Sequence, residues 1–404
     1  MLELSPAELL APETKEIWVA ADTLEEPTPA DIIRLRRIAP DLPTDLVSAV
    51  ITQVQLRRKA RSSLGDVANR MLFTAAGLQQ STPPATASRR ARRLVDLGLT
   101  SVLDVGCGIG VDAMASQRAG LTVTAIEKDP VTAAFATVNL EQQVRNDDAV
   151  VGTLPLCDAT FFDPARRSQN RRLMSPDDWS PSWSWITKYG EGRPRTVAKA
   201  APGIPHDRIP ARCAAEWVSL DHRLIETCIW FEGLAAGLPR RSAVLLHQQS
   251  DPWKVGEESV LGTDDESQPA PLGPVADWIL EPDPAIIRSH LIDTLAERIG
   301  AVGLSSDIAY LTSNHPPDPS WAQRLKVLDE VPAGGKALRL ELRRREIGKV
   351  EIHTRGLGID PTRLRRSLKL SGSGPLHHLL LTRVAGTPTG FLVQPDSPKS
   401  KIGS

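Results

Sequence analysis

Residues Ser101 to Asp129 read SVLDVGCGIGVDAMASQRAGLTVTAIEKD. The run combines an apolar strand, a turn with three glycines, a helix of small residues and a second strand ending in an acid. Val102, Leu103 and Val105 suit the end of a buried parallel strand, and Gly106, Gly108 and Gly110 let the backbone turn sharply and approach a ligand closely. Glu127 ends the next strand, where a carboxylate takes both hydroxyls of a ribose. A dinucleotide fold prefers a further glycine at 111, to bring the helix N-terminus onto a pyrophosphate. Val111 stands there instead, and the glycines fall as GxGxG. Asp104, at the first strand's end, suits an amino group and a positive charge and repels a pyrophosphate. The ligand required has a ribose, no phosphate and a cationic part.

S-adenosylmethionine meets these conditions. VLDVGCGIG and TAIEKD resemble motifs I and II of class I S-adenosylmethionine-dependent methyltransferases. Phe161-Phe162-Asp163-Pro164-Ala165-Arg166-Arg167 resembles the DPARR form of the fourth motif, found in bacterial methyltransferases that carry a C-terminal THUMP-like domain. GLQQST (Gly77 to Thr82), APGIPH (Ala201 to His206), EPDPAIIRSHL (Glu281 to Leu291) and the basic stretch around Arg355 fit the same subfamily, so the resemblance runs from about residue 45 to 395. It implies an α/β fold: a Rossmann-like, doubly wound methyltransferase sheet with an N-terminal helical region and a C-terminal α+β THUMP-like domain. It also implies S-adenosylmethionine as cofactor, held by Asp104, Gly106, Cys107, Gly108, Gly110, Glu127, Lys128 and Asp148.

At 404 residues the chain has room for two or three domains. No apolar run approaches the ~18 residues of a membrane span, and the start is acidic where a signal peptide is basic, then apolar; a cytoplasmic protein is expected. The four cysteines show no CxxC pair or metal-ligand spacing, and His377-His378 have no matching acids nearby, so no metal site is expected.

The net charge of −1 conceals segregation. Ile51 to Arg93 carries nine Lys or Arg against one acid, and Lys336 to Lys369 eleven against four. Clustered cations suit a polyanion, whose binding releases counterions; either block alone reads equally well as a solvated helix face. Together, and with the resemblance to THUMP-type domains, they point to RNA as partner.

Apolar residues at three- and four-residue spacing predict helices in TPADIIRLRRIA, TDLVSAVITQVQLRRKARSSL and ATASRRARRLVDLG, giving a helical region at 1–95. Strands alternating with helices follow over 96–260, with ATFF, TVAKA, AEWVSL, ETCIWFEGL and SAVLLHQ as later strands. The polar, proline-rich 261–274 reads as a linker. An α+β module is expected at 275–395, with one amphipathic helix in PAIIRSHLIDTLAERIG, and a disordered tail at 396–404.

After AAFATVNLEQQ only Val144-Arg145-Asn146 precedes Asp147-Asp148-Ala149, so the third strand is shortened. Asp148 takes the place of the family's adenine-binding acid; a shifted register gives that role to Asp147 or leaves it unfilled, and loss of the strand implies weak or absent cofactor binding. By the same resemblance Asp163 and Pro164 are the catalytic centre, the acid and the following carbonyl holding a nucleophile's N–H groups so that its lone pair faces the methyl. Amino methyltransferases usually follow this motif with a base-stacking aromatic, but Ala165 and Arg166 stand there. Trp183 and Trp185, with Trp179, offer a platform, and Arg166 and Arg167 a grip on phosphate; core packing and solvated loops explain the same residues. His206 is a weaker candidate for proton acceptor. The expected function is methylation of a base nitrogen of RNA. The alternatives are an RNA-binding protein with this fold and little turnover, and a methyltransferase for protein or a small molecule.

Overall fold

The computed structural model describes residues 5–25, 28–168, 171–264, 268–372 and 374–396. They fall into two compact units, one within Met1–Ala215, Ile225–Gly237 and Leu246–Glu258, the other within Glu216–Leu224, Leu238–Leu245 and Ser259–Ser404.

The first unit opens with helices. Thr44–Leu64 is one 21-residue helix. Its Leu46, Val47, Val50, Ile51 and Val54 recur at helical spacing and are buried with Leu9, Ile17, Leu35 and Leu72. Gly65, at φ 67°, terminates it in a conformation that suits glycine. Pro84–Asp96 begins on a proline, whose missing N–H costs nothing in a first turn.

The strands follow: β1 (Ser101–Val105), β2 (Thr122–Glu127), β3 (Arg145–Asn146), β4 (Ala159–Phe162), the short pair β5 (Arg167–Ser168) and β6 (Arg171–Arg172), β7 (Thr196–Ala200), β8 (Ala214–Leu220), β9 (Arg223–Trp230), β10 (Arg241–Leu246) and β11 (Glu258–Thr263). β8, β10 and β11 lie chiefly in the second unit. Within the first, the order is β9-β7-β4-β1-β2-β3. β1 pairs in parallel with β2 and β4, β4 with β7, and β2 with β3, while β9 is antiparallel to β7. The third strand is therefore shortened but present: Arg145 pairs with Ile126, and Asn146 with Glu127. From β1 the chain moves first to β2 on one side and later to β4 on the other. That reversal opens a crevice at the carboxyl ends of β1 and β4, the usual ligand position in such sheets.

The second unit contains β12 (Trp278–Pro282), β13 (Val302–Ser305), β14 (Ile308–Ser313), β15 (Ala322–Val331), β16 (Lys349–Thr354), β17 (Leu376–Val384) and β18 (Thr387–Pro395). They form a seven-stranded sheet in the order β13-β14-β12-β15-β18-β17-β16. All its pairings are antiparallel except β16 with β17, which the helix Pro361–Leu368 connects. Alternation sorts the faces: Val350, Ile352, Leu379 and Leu381 pack with Leu338 and Leu342, while Leu380, Phe391 and Val393 pack with Tyr310 and Leu325.

One expectation fails here. The single helix over residues 284–300 is two, Pro284–Arg288 and Ile292–Ile299. His290 between them has φ 57°, a left-handed residue that no apolar period reveals. Within the stretch expected as a linker, Gly273 N–H donates to Gly303 O, Gly303 N–H to Pro271 O, and Ala270 N–H to Asp293 Oδ1. Of the expected tail only Asp396 is described; 397–404 lie outside the described residues. No helix among the described residues is long and apolar enough to cross a membrane.

Candidate active site

The glycine turn leaves β1 folded back on its neighbours. Gly106 N–H and Cys107 N–H both donate to Ile126 O, at 2.9 and 3.1 Å. Gly106 has φ 80°, and a Cβ there would stand 2.7 Å from Asp163 O, so the ends of β1 and β4 meet only because the residue is glycine. Gly108 N–H donates to Glu127 Oε2 at 2.9 Å, and Asp129 N–H to Oε1 at 2.9 Å. The Glu127 carboxylate is thus fixed by backbone on both sides, with its remaining lone pairs available to hydroxyls. Burial raises its pKa against those hydrogen bonds. Above Gly108 a Cβ would meet open space.

Asp104 is buried, and both its carboxylate oxygens are without a hydrogen-bond partner. Burial above all, with the neighbouring Asp112 and Asp163, holds its carboxyl well above the usual range. An orphaned buried acid is costly unless something else pairs with it. A cofactor with a cationic amino group supplies that partner, so Asp104, the open space at Gly108 and Glu127 fit S-adenosylmethionine.

Asp163 ends β4 beside a cation that the sequence reading did not connect to it. Lys199 of β7 donates from Nζ to Asp163 Oδ2 and to Thr82 Oγ1, each at 2.7 Å. Thr82 donates to Asp112 Oδ2 at 2.6 Å, and Arg90 joins Asp112 to Glu226 at 2.9 Å each. The guanidinium of Arg90 also lies 4.3 Å from the ring centre of Phe161. Burial disfavours the charge on Lys199, but Asp163 foremost and then Asp112 and Glu226 hold its pKa above the ordinary lysine value. Lys199, Arg90 and Glu226 are buried, while Asp112 and Asp163 keep some exposure.

The remaining expected residues separate. Cys107 is buried and contributes backbone rather than thiol, its pKa pushed well up by burial. Lys128 and Asp148 pair with each other at 2.8 Å beside Glu127, and that contact lowers the Asp148 pKa. Asp147 pairs with Arg145 instead. Gly110, at φ 92°, caps the helix Val111–Arg118. Pro164 is buried and Arg166 partly exposed; the side chain of Arg167 lies outside the described residues. Trp183 does not form a platform: it is 1% exposed, its indole N–H donates to Arg208 O, and it packs edge-on against Trp179. Trp185 is half-buried, with one face stacked on Tyr189 and an edge contact to Phe162. His206 sits in a short 3-10 turn, His206–Arg208.

The N-terminal basic block is largely consumed by structure. Arg57 lies over Trp18 and donates to Met71 O; Arg58 reaches Asp22 O and Leu24 O; Arg93 donates to Leu234 O and Ala236 O; Arg89 pairs with Glu258. In the C-terminal block Arg344 and Arg345 pair with Glu341, and Arg355 with Glu281. Arg343, Arg363, Arg365, Arg366 and Lys369 are exposed.

Comparison with known proteins places these features in context. The family model for THUMP domain-like proteins matches residues 322–395. An uncharacterised S-adenosylmethionine-dependent methyltransferase of Mycobacterium tuberculosis is 32% identical over 342 residues, covering 81% of this chain and 90% of that protein. A solved Porphyromonas gingivalis structure, described as a methyltransferase, aligns with a TM-score of 0.73 over 98% of this chain and 100% of that one, at 19% identity, a likeness of fold.

Proposed function

The chain belongs to the S-adenosylmethionine-dependent methyltransferases, and from that premise we propose that it methylates a base nitrogen of RNA, tRNA or rRNA. In this reading residues 96–260 form the catalytic domain and 275–395 the RNA-capturing one. The observation that carries RNA is the exposed arginine set on the helix Pro361–Leu368, within a THUMP-like domain: Arg363, Arg365 and Arg366 have no ion-pair partner among the described residues.

S-adenosylmethionine supplies an already activated methyl group, so the protein's part is binding, orientation and exclusion of water. Asp104 would take the amino group, Glu127 the ribose hydroxyls, and the glycine turn the body of the ligand. Asp163 and Pro164 would hold the N–H groups of the substrate amine. Lys199 holds Asp163 in place, as a positioning residue, because it binds the carboxylate through one oxygen.

The test is incubation of the full chain with isotopically labelled S-adenosylmethionine and total RNA, followed by nucleoside digestion. Label in a nitrogen-methylated base supports the reading; label confined to protein or small molecules overturns it. A second reading, RNA binding with little turnover, draws on the capture of Asp163 by Lys199. It predicts tight cofactor binding with no single-turnover transfer to any RNA.

A further inference from the structure

The THUMP-like region holds a constellation unrelated to methyl transfer. Glu351 and His353 lie two residues apart on β16, so their side chains share a face of the sheet. The parallel register sets His378 of β17 opposite Glu351. His353 Nε2 and His378 Nδ1 stand 3.4 Å apart, their rings inclined by only 16°, and Glu351 Oε2 lies 3.7 Å from the same Nδ1. One ligand atom from each of the three residues falls within 4.8 Å of the other two. The acid that His378 lacks along the sequence is supplied across the ladder.

A hydrogen bond between His353 and His378, at 3.4 Å, accounts for two of the three groups and leaves Glu351 with no share in it. Nδ1 of His378 carries at most one proton, which serves Glu351 or His353 but not both. A cation at the centre satisfies all three groups at once. The spacing agrees: two imidazole nitrogens bound to tetrahedral zinc at about 2.0–2.1 Å lie about 3.3–3.4 Å apart. Glu351, with its side chain 45% exposed, has room to close the remaining few tenths of an ångström, and His378 is 25% exposed, leaving a path from solvent. His353 is buried, 6% exposed, which anchors one corner of the site.

We propose that Glu351, His353 and His378 bind a divalent transition-metal ion of the zinc class, with solvent completing the coordination. Two imidazoles and one carboxylate suit zinc, cobalt or nickel and are a poor set for calcium or magnesium. The ion would clip the edge strand β16 to β17.

The experiment uses the full chain after chelator treatment, titrated with Zn²⁺ by calorimetry and with Co²⁺ by visible absorption. One ion per chain is expected, with Co²⁺ bands of four-coordinate intensity and no thiolate charge-transfer band. His378→Ala and Glu351→Gln should each weaken binding by about tenfold or more, and Zn²⁺ should raise the melting temperature of the parent chain but not of the variants. His353 is buried, so His353→Asn is compared only after circular dichroism shows a folded chain. Absence of stoichiometric binding, or equal binding by the parent and by folded variants of His378 and Glu351, overturns the proposal. S-adenosylmethionine affinity, measured alongside, reports on the methyltransferase site separately.

Discussion

Asp104 is buried with neither carboxylate oxygen hydrogen-bonded. Its raised pKa means that the folded chain holds the proton more tightly than the unfolded chain. Its contribution to stability is thus complete below the ordinary aspartate range and is lost as pH rises through the folded value. A cationic ligand group beside it reverses the preference. Cofactor binding is therefore expected to be accompanied by proton release, read by calorimetry in buffers of different ionisation enthalpy. Asp104→Asn should abolish the release, and heats independent of buffer in the parent would remove Asp104 from the cofactor site. Arg90 poses the converse case, a buried cation between Asp112 and Glu226. Arg90→Met leaves both acids uncompensated and should cost about 3–5 kcal/mol in denaturant unfolding; a loss below 1 kcal/mol, by the ~1 kcal/mol typical of exposed pairs, would mean that solvent already compensates them.

At the scale of elements, the contact between the ends of β1 and β4 rests on Gly106. Gly106→Ala adds left-handed strain and drives a methyl into the backbone carbonyl of Asp163, for a combined cost of about 1–3 kcal/mol. Gly98, at φ 76° with open space around a Cβ, separates the two causes. Gly98→Ala should lower the melting temperature alone, whereas Gly106→Ala should also weaken S-adenosylmethionine binding about tenfold or more; equal affinities would show that the strand ends need not touch. Elements defined by local pattern were legible in the sequence. The 21-residue helix ends where its apolar stripe ends, and ATFF and TVAKA are strands β4 and β7. Pairings across sequence were not: Lys199 reaches Asp163 over 36 residues and Thr82 over 117, distances at which no periodicity carries information. Arg90 did leave a trace. It shares the buried side of its helix with Ala87, Ala91 and Leu94, so a cation on an apolar stripe was visible before its partners were. Trp183 misled because an aromatic near a motif reads alike whether it faces substrate or core.

For the whole molecule, the two basic blocks part company. Arg57, Arg58 and Arg93 hold the first unit together, whereas Arg363, Arg365 and Arg366 have no ion-pair partner among the described residues. Charge reversal at Arg363, Arg365 and Arg366 should flatten the log–log salt dependence of RNA binding by about 0.7 for each lost phosphate contact. Neutralising Arg57 or Arg93 should lower stability without changing that slope, and the opposite pattern would move the RNA surface to the N-terminal region. The acid-rich neighbourhood of the crevice has a consequence for turnover. Asp104, Asp112, Asp163, Glu127 and Glu226 interact electrostatically in a group that includes the cations Arg90 and Lys199. Such a neighbourhood rewards a sulfonium and gives nothing to the thioether left after transfer. The chain is therefore expected to bind S-adenosylmethionine more tightly than S-adenosylhomocysteine. Competition titrations read the ratio directly, and a product bound as tightly as the donor would deny these acids that effect. Should that ratio hold, loss of the sulfonium charge on methyl transfer would itself favour release of the spent donor.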